Sequence, residues 1–233
     1  MSAAPTKKKK NKGSNIFSVI IILAALAFGG YYLATNFLFA SVHSIAVENN
    51  KITTTTTGQD ILDKGLVLCD VNGKVRNVMT TEIKAKEIYN NSFFIGVPDS
   101  TGKNAKCSGV EVTFGNFGGS TSTIANCGLY RIQYTPGFQD EGVSVLVDGE
   151  NMQNASLDQW VDFLKEKSYK FSKSELEQLR SGSSTYESFT QAKKKYAVSL
   201  DKKSKNDGND NIVYDTVFGS IKIERDVTVT IKK

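Results

Sequence analysis

The chain has 233 residues, with 29 lysines and arginines against 24 aspartates and glutamates, and its formal net charge is +5. Lys7, Lys8, Lys9, Lys10 and Lys12 carry the whole excess, because the other 24 basic residues equal the acidic ones in number. Charge outside this tail is balanced, so no nucleic-acid partner is predicted.

Few side chains are suited to catalysis or to cofactor binding. The chain has one histidine, His43, and three cysteines, and it lacks CxxC pairs, a GxxxxGK phosphate loop and a GxGxxG motif. These absences argue against a zinc site, a nucleotide site or a Ser-His-Asp centre. A carboxylate pair, Asp140 with Glu141 or Asp158 with Asp162, is the remaining candidate for acid–base catalysis, but the sequence offers no group that orients it. We therefore predict a non-enzymatic protein without a catalytic centre, metal or cofactor.

The N-terminal segment predicts a membrane anchor. No charged residue occurs from Gly13 to Val47, and the apolar stretch Ile16–Ala40 reaches the roughly 20 residues that a helix needs to cross a bilayer. We predict a basic cytoplasmic tail over 1–13 and a transmembrane helix over 14–42. By the positive-inside rule, the bulk of the chain then lies outside the cytoplasm, in the periplasm or at the cell surface. The alternative is a cleaved signal peptide and a mature chain that starts at Ser41.

Small residues within the predicted helix favour packing against other helices. Gly29 and Gly30, with Ala24, Ala25 and Ala27 nearby, permit a close approach of two helix backbones. The predicted partners are therefore the membrane and a homo- or hetero-oligomeric protein assembly.

Residues 43–64 are predicted to be a linker, and residues 65–233 an exported domain whose first half is rich in strands. Asn72-Gly73 is typical of the tight turn of a hairpin between GLVLCDV and KVRNVMT. Five further short strands are predicted up to Val147: NSFFIGV, GVEVTF, STSTIA, LYRIQYT and GVSVLVD.

Helical signals occur between residues 156 and 197. Three capping boxes follow one another there: Ser156–Gln159, Ser172–Glu175 and Ser184–Glu187. Apolar residues follow each box at helical spacing, and Trp160 is predicted to anchor the first helix in the core. We expect three short helices packed on the sheet, then a polar loop over 201–211 and a closing hairpin over 212–233 paired into the main sheet. The predicted fold is α+β, with a single N-terminal transmembrane helix before a β-rich exported domain that has a short helical segment.

All three cysteines fall in the predicted exported domain, where an oxidising compartment favours disulfides. Cys107 and Cys127 flank a strand-and-turn segment, and we predict a disulfide between them. Cys69 is then left over. Three cysteines allow three single pairings, and the other alternative is that all three are reduced core residues.

Two short motifs, Lys12-Gly13-Ser14 and Asn116-Phe117-Gly118-Gly119, resemble those of type IV pilins, in particular the IVb subclass. Lys12-Gly13-Ser14, directly before an apolar helix, is similar to a prepilin leader-peptidase site, which implies cleavage at Gly13 and a mature chain that starts at Ser14. Asn116-Phe117-Gly118-Gly119 is similar to a glycine turn of that subclass, and LYRIQYT resembles the strand after it. The family's acidic residue at the fifth mature position falls on Ser18, which favours an initiating or minor subunit.

The resemblance implies a structural subunit whose N-terminal helices pack together through Phe17, Val19 and the run from Ile20 to Leu23. We therefore expect a membrane-anchored, non-enzymatic subunit of a cell-envelope assembly, most concretely a pilin-like minor subunit. The alternative is a bitopic inner-membrane subunit of a secretion or conjugation apparatus, which docks partners through its exported domain.

Overall fold

Antiparallel strands make up most of the chain that the structure describes. The computed structural model describes residues 43–138, 142–167, 173–174, 187–191, 194–206, 212–227 and 230–231. The strands within these residues are β1 (Ile45–Val47), β2 (Asn50–Ile52), β3 (Val67–Cys69), β4 (Glu82–Ile83), β5 (Glu87–Pro98), β6 (Ala105–Gly115), β7 (Ser122–Thr123), β8 (Gly128–Tyr134), β9 (Val145–Val147), β10 (Glu150–Asn151), β11 (Glu187–Gln191), β12 (Lys194–Asn206), β13 (Ile212–Arg225) and β14 (Thr230–Ile231). The helices with described bounds are α1 (Gly58–Asp63), α2 (Leu157–Glu166) and a 3-10 helix (Ile124–Asn126).

The strands form one large sheet and two smaller ones. The large sheet has the order β11-β12-β13-β8-β6-β5-β14, and β3 also pairs with β5. Its strand pairs are antiparallel, except that β14 runs parallel to β5. A four-stranded antiparallel sheet has the order β10-β9-β1-β2, and β4 pairs with β7.

One hydrophobic core joins the large sheet, the four-stranded sheet and both α-helices. Ile45 of β1, Phe114 of β6, Ile61 of α1 and Trp160 of α2 belong to it, and all four are fully buried. The Trp160 ring meets the Phe163 ring edge-on, at 5.7 Å between centroids. The predicted core position of Trp160 is therefore confirmed.

Both α-helices begin at capping boxes. The Ser156 Oγ accepts the Gln159 N–H at 3.3 Å, and the Gln159 Oε1 accepts the Ser156 N–H at 2.8 Å. Thr57 and Asp60 form the same reciprocal pair at the start of α1. The first predicted capping box is confirmed, and Thr57, the last of the five consecutive threonines from Thr53, caps α1.

The predicted α+β class with an N-terminal transmembrane helix is corrected by the structure. The described chain is mostly β-sheet. None of the helices in the described residues is long and apolar enough to cross a membrane, and α2 has only 10 residues. The segment over which that helix was predicted, 14–42, lies outside the described residues, as does the basic tail over 1–13.

The predicted linker over 43–64 is also corrected. β1, β2 and α1 occupy this segment, and its Ile45, Ile52 and Ile61 side chains are fully buried. β1 lies inside its sheet, between β2 and β9. Strands of three residues are too short to show a recognisable alternation, which is why the sequence pattern did not reveal them.

The third predicted helix is wrong, because strands occupy its place. β11 pairs with β12, and β12 pairs along its length with β13. β12 extends to Asn206, so the first half of the predicted loop over 201–211 is strand as well. Of the second predicted helix, only Lys173 and Ser174 are described, and they are helical. A local capping signal is weaker than the backbone hydrogen bonds that a long neighbouring strand provides.

The predicted closing hairpin over 212–233 is partly confirmed. β13 enters the large sheet between β12 and β8, as expected. β14 does not return along β13 but runs parallel to the start of β5, with Thr230 opposite Glu87. β14 therefore lies beside β5, at the opposite edge of the large sheet from β11.

Strand register around β5 determines which side chains meet at one end of the large sheet. Gly96 of β5 lies opposite Cys107 of β6, next to an irregularity in the register. Cys69, the last residue of β3, lies opposite Phe94 on the other side of β5. Cys69 and Cys107 therefore approach β5 from its two neighbouring strands.

Candidate functional site

The turn that follows β3 forms one wall of the candidate site. The Asp70 Oδ1 accepts the N–H groups of Asn72 at 2.9 Å and of Lys74 at 3.0 Å, and Gly73 has a positive φ of 76°. A Cβ at Gly73 would lie 2.6 Å from the Ala105 carbonyl oxygen, so only glycine permits this approach. The predicted Asn72-Gly73 turn is confirmed, although its returning arm makes isolated bridges rather than a regular strand.

Two cysteine thiols meet beside this turn. The Sγ atoms of Cys69 and Cys107 are 3.2 Å apart, and both residues are buried. The Cys107 thiol also lies 3.5 Å from the Asp70 carbonyl oxygen, and the Cys69 thiol 3.5 Å from the Phe94 carbonyl oxygen. A Cβ at Gly96 would come within 3.0 Å of the Cys69 Sγ. The missing side chain at Gly96 therefore leaves the space in which the two sulfurs meet.

The two thiols differ in their access to solvent. Cys69 is fully buried, whereas Cys107 is 7% exposed. Burial, followed by the contact with Cys107, raises the pKa of the Cys69 thiol well above its usual value. Cys69 is therefore protonated at neutral pH, and its thiol is a weak nucleophile there.

Cys107 opens onto a surface groove, which we call the Cys107 groove. Its lining residues are Val71, Asn72, Gly73, Ala105, Lys106, Cys107 and Gly137, and its volume is about 580 Å³. Val71 is 45% exposed, and Phe138, which follows the lining residue Gly137, is 38% exposed. The Phe138 ring lies 5.7 Å from the Phe94 ring. The groove thus presents apolar side chains to solvent beside a cysteine.

The surroundings of the Cys107 groove are positively charged. Exposed lysines lie in or next to its lining segments: Lys74, Lys103 and Lys106. None of them forms an ion pair with another residue of the described chain. Of the neighbouring carboxylates, Asp70 is paired with the Arg76 guanidinium at 2.6 Å, whereas Asp99 keeps its charge and accepts from the neutral Thr101 and Asn104. Among the described residues beside the groove, the three lysines therefore leave an excess of positive charge.

A second cavity, of about 690 Å³, lies beside α2. Its acidic lining residues are Glu150, Asp162 and Glu166. Glu150 is ion-paired with Lys167, and Asp162 lies 3.9 Å from Lys165. No group of three or more His, Cys, Asp or Glu side chains among the described residues is arranged to hold a metal ion. This cavity shows polar surface rather than a built binding site.

Of the residues considered for acid–base catalysis, Asp158 and Asp162 both lie on α2. Asp140 and Glu141 lie outside the described residues, and Asp158 lies in the first turn of α2. His43 has a different carboxylate beside it, with its Nδ1 2.8 Å from the Asp148 Oδ2. The Asp148 Oδ1 also accepts the Ser44 N–H at 2.7 Å. This contact holds the start of β1 against the turn between β9 and β10.

The predicted Cys107–Cys127 disulfide is corrected by the strand register. Cys127 follows the 3-10 helix and precedes Gly128, which lies opposite Gly115 at the far end of β6. At about 3.3 Å per residue, roughly 25 Å of strand separates Gly115 from Cys107. Cys107 contacts Cys69 instead. The sequence signal for this contact is weak: a cysteine before an Asn-Gly turn and a glycine, Gly96, inside a strand.

Several predicted site residues lie outside the described part of the chain: the leader-peptidase residues Gly13 and Ser14, and the helix-packing residues Phe17, Val19, Ile20, Gly29 and Gly30. The Asn116–Gly119 turn is described. The buried Asn116 side chain donates to the Ile83 and Ser120 carbonyl oxygens and accepts the Gly118 N–H. The asparagine, rather than a glycine at positive φ, shapes this turn.

No protein-family model, curated protein or solved structure matches the chain. The function is therefore inferred from the geometry of the described residues. The groove combines the exposed Val71, neighbouring lysines and Cys107 in its lining, and surfaces of this kind are suited to binding a protein segment.

Proposed function

We propose that this chain is a non-enzymatic subunit of a cell-envelope protein assembly, whose β-sheet domain docks a partner protein at the Cys107 groove. The observation that carries the proposal is the exposure of Val71, which lines this groove, and of Phe138, which follows the lining residue Gly137. Among the described residues, the other exposed large apolar side chains are Leu62 and Val227. Exposed apolar side chains that cluster at a groove are typical of protein-binding surfaces.

The charge of the groove favours an acidic partner segment. Lys106 lines the groove, and Lys74 and Lys103 are exposed in the adjoining segments. Carboxylates on a partner would be attracted to these lysines, while an apolar side chain of the partner covers Val71 and Phe138. We infer a partner segment that carries aspartate or glutamate beside a large apolar residue.

The cysteine geometry supports a location in the cell envelope. The Sγ atoms of these two buried thiols, 3.2 Å apart, would have to approach by about 1.2 Å to reach the bond length of a disulfide. Disulfides persist in exported domains and are rare in the cytosol. The contact between Cys69 and Cys107 therefore supports the envelope part of the proposal.

Site-specific photo-crosslinking in the native cells tests the docking surface. A photoreactive amino acid replaces Val71 or Phe138, and the matched control replaces Leu62, which is 37% exposed but lies on α1. We expect one protein adduct from Val71 and Phe138 that Leu62 does not give. Lys106→Glu should weaken this adduct because it reverses the charge at the groove, whereas Lys51→Glu on β2 should leave it unchanged.

The same experiment has two outcomes that contradict the proposal. Equal adducts from Leu62 and from the groove positions would show contact without preference for the groove. The absence of any adduct from Val71 and Phe138, with expression and folding equal to the wild type, would show that the groove is not a docking surface.

The pilin-like form of the proposal is supported by the sequence resemblance at Gly13-Ser14 and Asn116–Gly119. N-terminal peptide mass spectrometry on the protein from its native cells distinguishes the pilin-like subunit from a docking subunit that keeps its N-terminus. A mature chain that starts at Ser14 supports the pilin-like subunit. A chain that retains Met1 or Ser2 contradicts it and leaves the docking subunit.

A further inference from the structure

We propose that Cys69 and Cys107 form a disulfide through the Cys107 groove by exchange with a small disulfide, with Cys107 as the exchanging sulfur and Cys69 as the resolving sulfur. The two Sγ atoms are 3.2 Å apart, so they need to approach by only about 1.2 Å to reach the bond length of roughly 2.05 Å. Cys127 cannot replace either cysteine, because it lies at the far end of β6. The proposal is independent of the docking partner.

The strand between the two cysteines is built to let them meet. β5 separates β3 from β6, and at this level it carries Gly96. A Cβ at Gly96 would lie 2.9 Å from the Ala105 Cβ, 2.9 Å from the Lys106 carbonyl oxygen and 3.0 Å from the Cys69 Sγ. Any side chain at this position would therefore collide with the backbone of β6 and with the sulfur of Cys69.

Access to the pair is one-sided. Cys107 lines the groove and is 7% exposed, whereas Cys69 is fully buried beneath it. A thiol or disulfide from solvent reaches the Cys107 sulfur first, because no surface of Cys69 is open. Thiols react as thiolates, and burial raises the pKa of the Cys69 thiol, so only a small fraction of Cys69 is reactive at neutral pH.

The oxidant is a small disulfide, such as oxidised glutathione, and the reaction proceeds in two exchanges. The Cys107 thiolate attacks one sulfur of this disulfide, forms a mixed disulfide and releases one small thiolate. The Cys69 thiolate then attacks the Cys107 sulfur, closes the Cys69–Cys107 bond and releases the second small thiolate. The two protons lost by the cysteines end on the two released thiols, so two protein thiols are oxidised and one small disulfide is reduced.

Disulfide mapping on the purified full chain tests the pairing. The reduced protein is incubated under native conditions with oxidised glutathione, its free thiols are alkylated in denaturant, and the unreduced digest is analysed by mass spectrometry. We expect one cross-linked pair of peptides, which joins Cys69 to Cys107, and alkylated Cys127. Cys127→Ser is the matched control and should give the same pair. A cross-link that contains Cys127, or alkylated Cys69 and Cys107 after the oxidation, would overturn the proposal.

An acid-quenched time course on the wild-type protein tests the order of the two exchanges and needs no variant. The early mixed disulfide should carry glutathione on Cys107, and its conversion to the closed disulfide should accelerate about tenfold per pH unit below the pKa of Cys69. In Cys69→Ser the adduct on Cys107 should persist, and in Cys107→Ser the adduct on Cys69 should form at least roughly tenfold more slowly. Glutathione that appears first on Cys69 in the wild type would overturn the assigned roles.

Discussion

At its Cys107 end, β6 lies beside an open groove, whereas at its Gly115 end polar side chains close the sheet through hydrogen bonds to backbone carbonyl groups. Asn116 follows β6 directly and bonds to Ile83 and Ser120. Arg225, at the end of β13, donates to the Thr54 carbonyl oxygen at 2.6 and 3.1 Å. At the Cys107 end, Ser108 Oγ donates one such bond, to the Ile95 carbonyl oxygen at 2.7 Å, and the neighbouring contact is between two thiols.

The side chains at the Gly115 end of β6 therefore stabilise the fold, whereas the two thiols at its Cys107 end can change their covalent state. Asn116 donates to the carbonyl oxygen of buried Ile83 and Arg225 to that of buried Thr54, so loss of either donor leaves a buried backbone acceptor without its partner. The thiols of Cys69 and Cys107 each have a weak partner in a carbonyl group at 3.5 Å. They can exchange their hydrogens for a covalent bond while the backbone hydrogen bonds of β5 and β6 stay in place.

The largest effect is expected from oxidation at the Cys107 end. A disulfide between residues 38 positions apart should raise the free energy of unfolding by about 4 kcal/mol, because it restricts the unfolded chain. Urea unfolding of the oxidised and the reduced full chain measures the difference. Cys127→Ser should retain the difference, and Cys107→Ser should abolish it. Equal midpoints for oxidised and reduced wild type, with the bond confirmed by mass, would contradict this expectation.

The next effect is expected at the closed end. Asn116→Ala removes two hydrogen bonds to carbonyl groups and the acceptor of the Gly118 N–H at a residue that is 4% exposed. It should lower the free energy of unfolding by about 2–3 kcal/mol, measured by urea unfolding. The control Asn126→Ala removes only an exposed 3.3 Å contact with Thr123 and should cost less than about 0.5 kcal/mol. Equal losses of unfolding free energy in Asn116→Ala and Asn126→Ala would contradict the structural role of the Gly115 end.

A conservative exchange of arginine for lysine at each end sharpens the comparison. Arg225 stacks 4.1 Å from the centre of the Phe117 ring while two of its nitrogens donate to Thr54. Arg225→Lys loses this planar geometry and should lower the free energy of unfolding by about 1–2 kcal/mol. Arg76→Lys, in the exposed ion pair with Asp70, should cost less than about 0.5 kcal/mol. A larger loss of unfolding free energy for Arg76→Lys than for Arg225→Lys would contradict the assignment of the Gly115 end as the structural one.

The smallest effect is expected in the pH dependence of stability, and it comes from the Asp70 carboxylate in the turn after Cys69. The pKa of Asp70 lies below its usual value, chiefly because the backbone N–H of Lys74 donates to the carboxylate. The backbone N–H of Asn72 and the Arg76 guanidinium lower this pKa further. The native carboxylate therefore binds a proton less readily than the unfolded one, so it stabilises the fold above about pH 4 and this contribution is lost as the pH falls through the native pKa. Urea midpoints of the wild type and Asp70→Asn should differ most at neutral pH and converge towards pH 3. A constant difference across this range would rule out the carboxylate charge as the cause.

Local signals in the sequence predicted those features that depend on neighbouring residues. The Ser156–Gln159 capping box and the start of α2 are confirmed, because both partners lie within one helical turn. The Asn72-Gly73 turn is confirmed for a similar reason, since Asp70 and Gly73 arrange it within a few residues. The burial of Trp160 follows from the apolar stripe of the same helix.

The same kind of signal misled where a distant strand offered better partners. The Ser184–Glu187 box and the apolar residues after it predicted a helix, yet Glu187–Gln191 pairs with β12. β12 in turn pairs with β13, which pairs with β8. An apolar pattern in a short segment fits a helix and a strand almost equally well, and the presence of an open strand edge decides between them.

The sequence by itself determined the inventory of the candidate site: three cysteines, a turn-forming Asn72-Gly73 pair and a glycine at position 96. Which cysteines meet was decided only by the tertiary structure. Cys69 and Cys107 come together because β3 and β6 both pair with β5, with Cys69 opposite Phe94 and Cys107 opposite Gly96. Cys127 is far away because Gly128, the first residue of β8, lies opposite Gly115 at the end of β6. Strand register is set by the burial of the whole sheet, and a shift of one residue would turn each of these side chains to the opposite face.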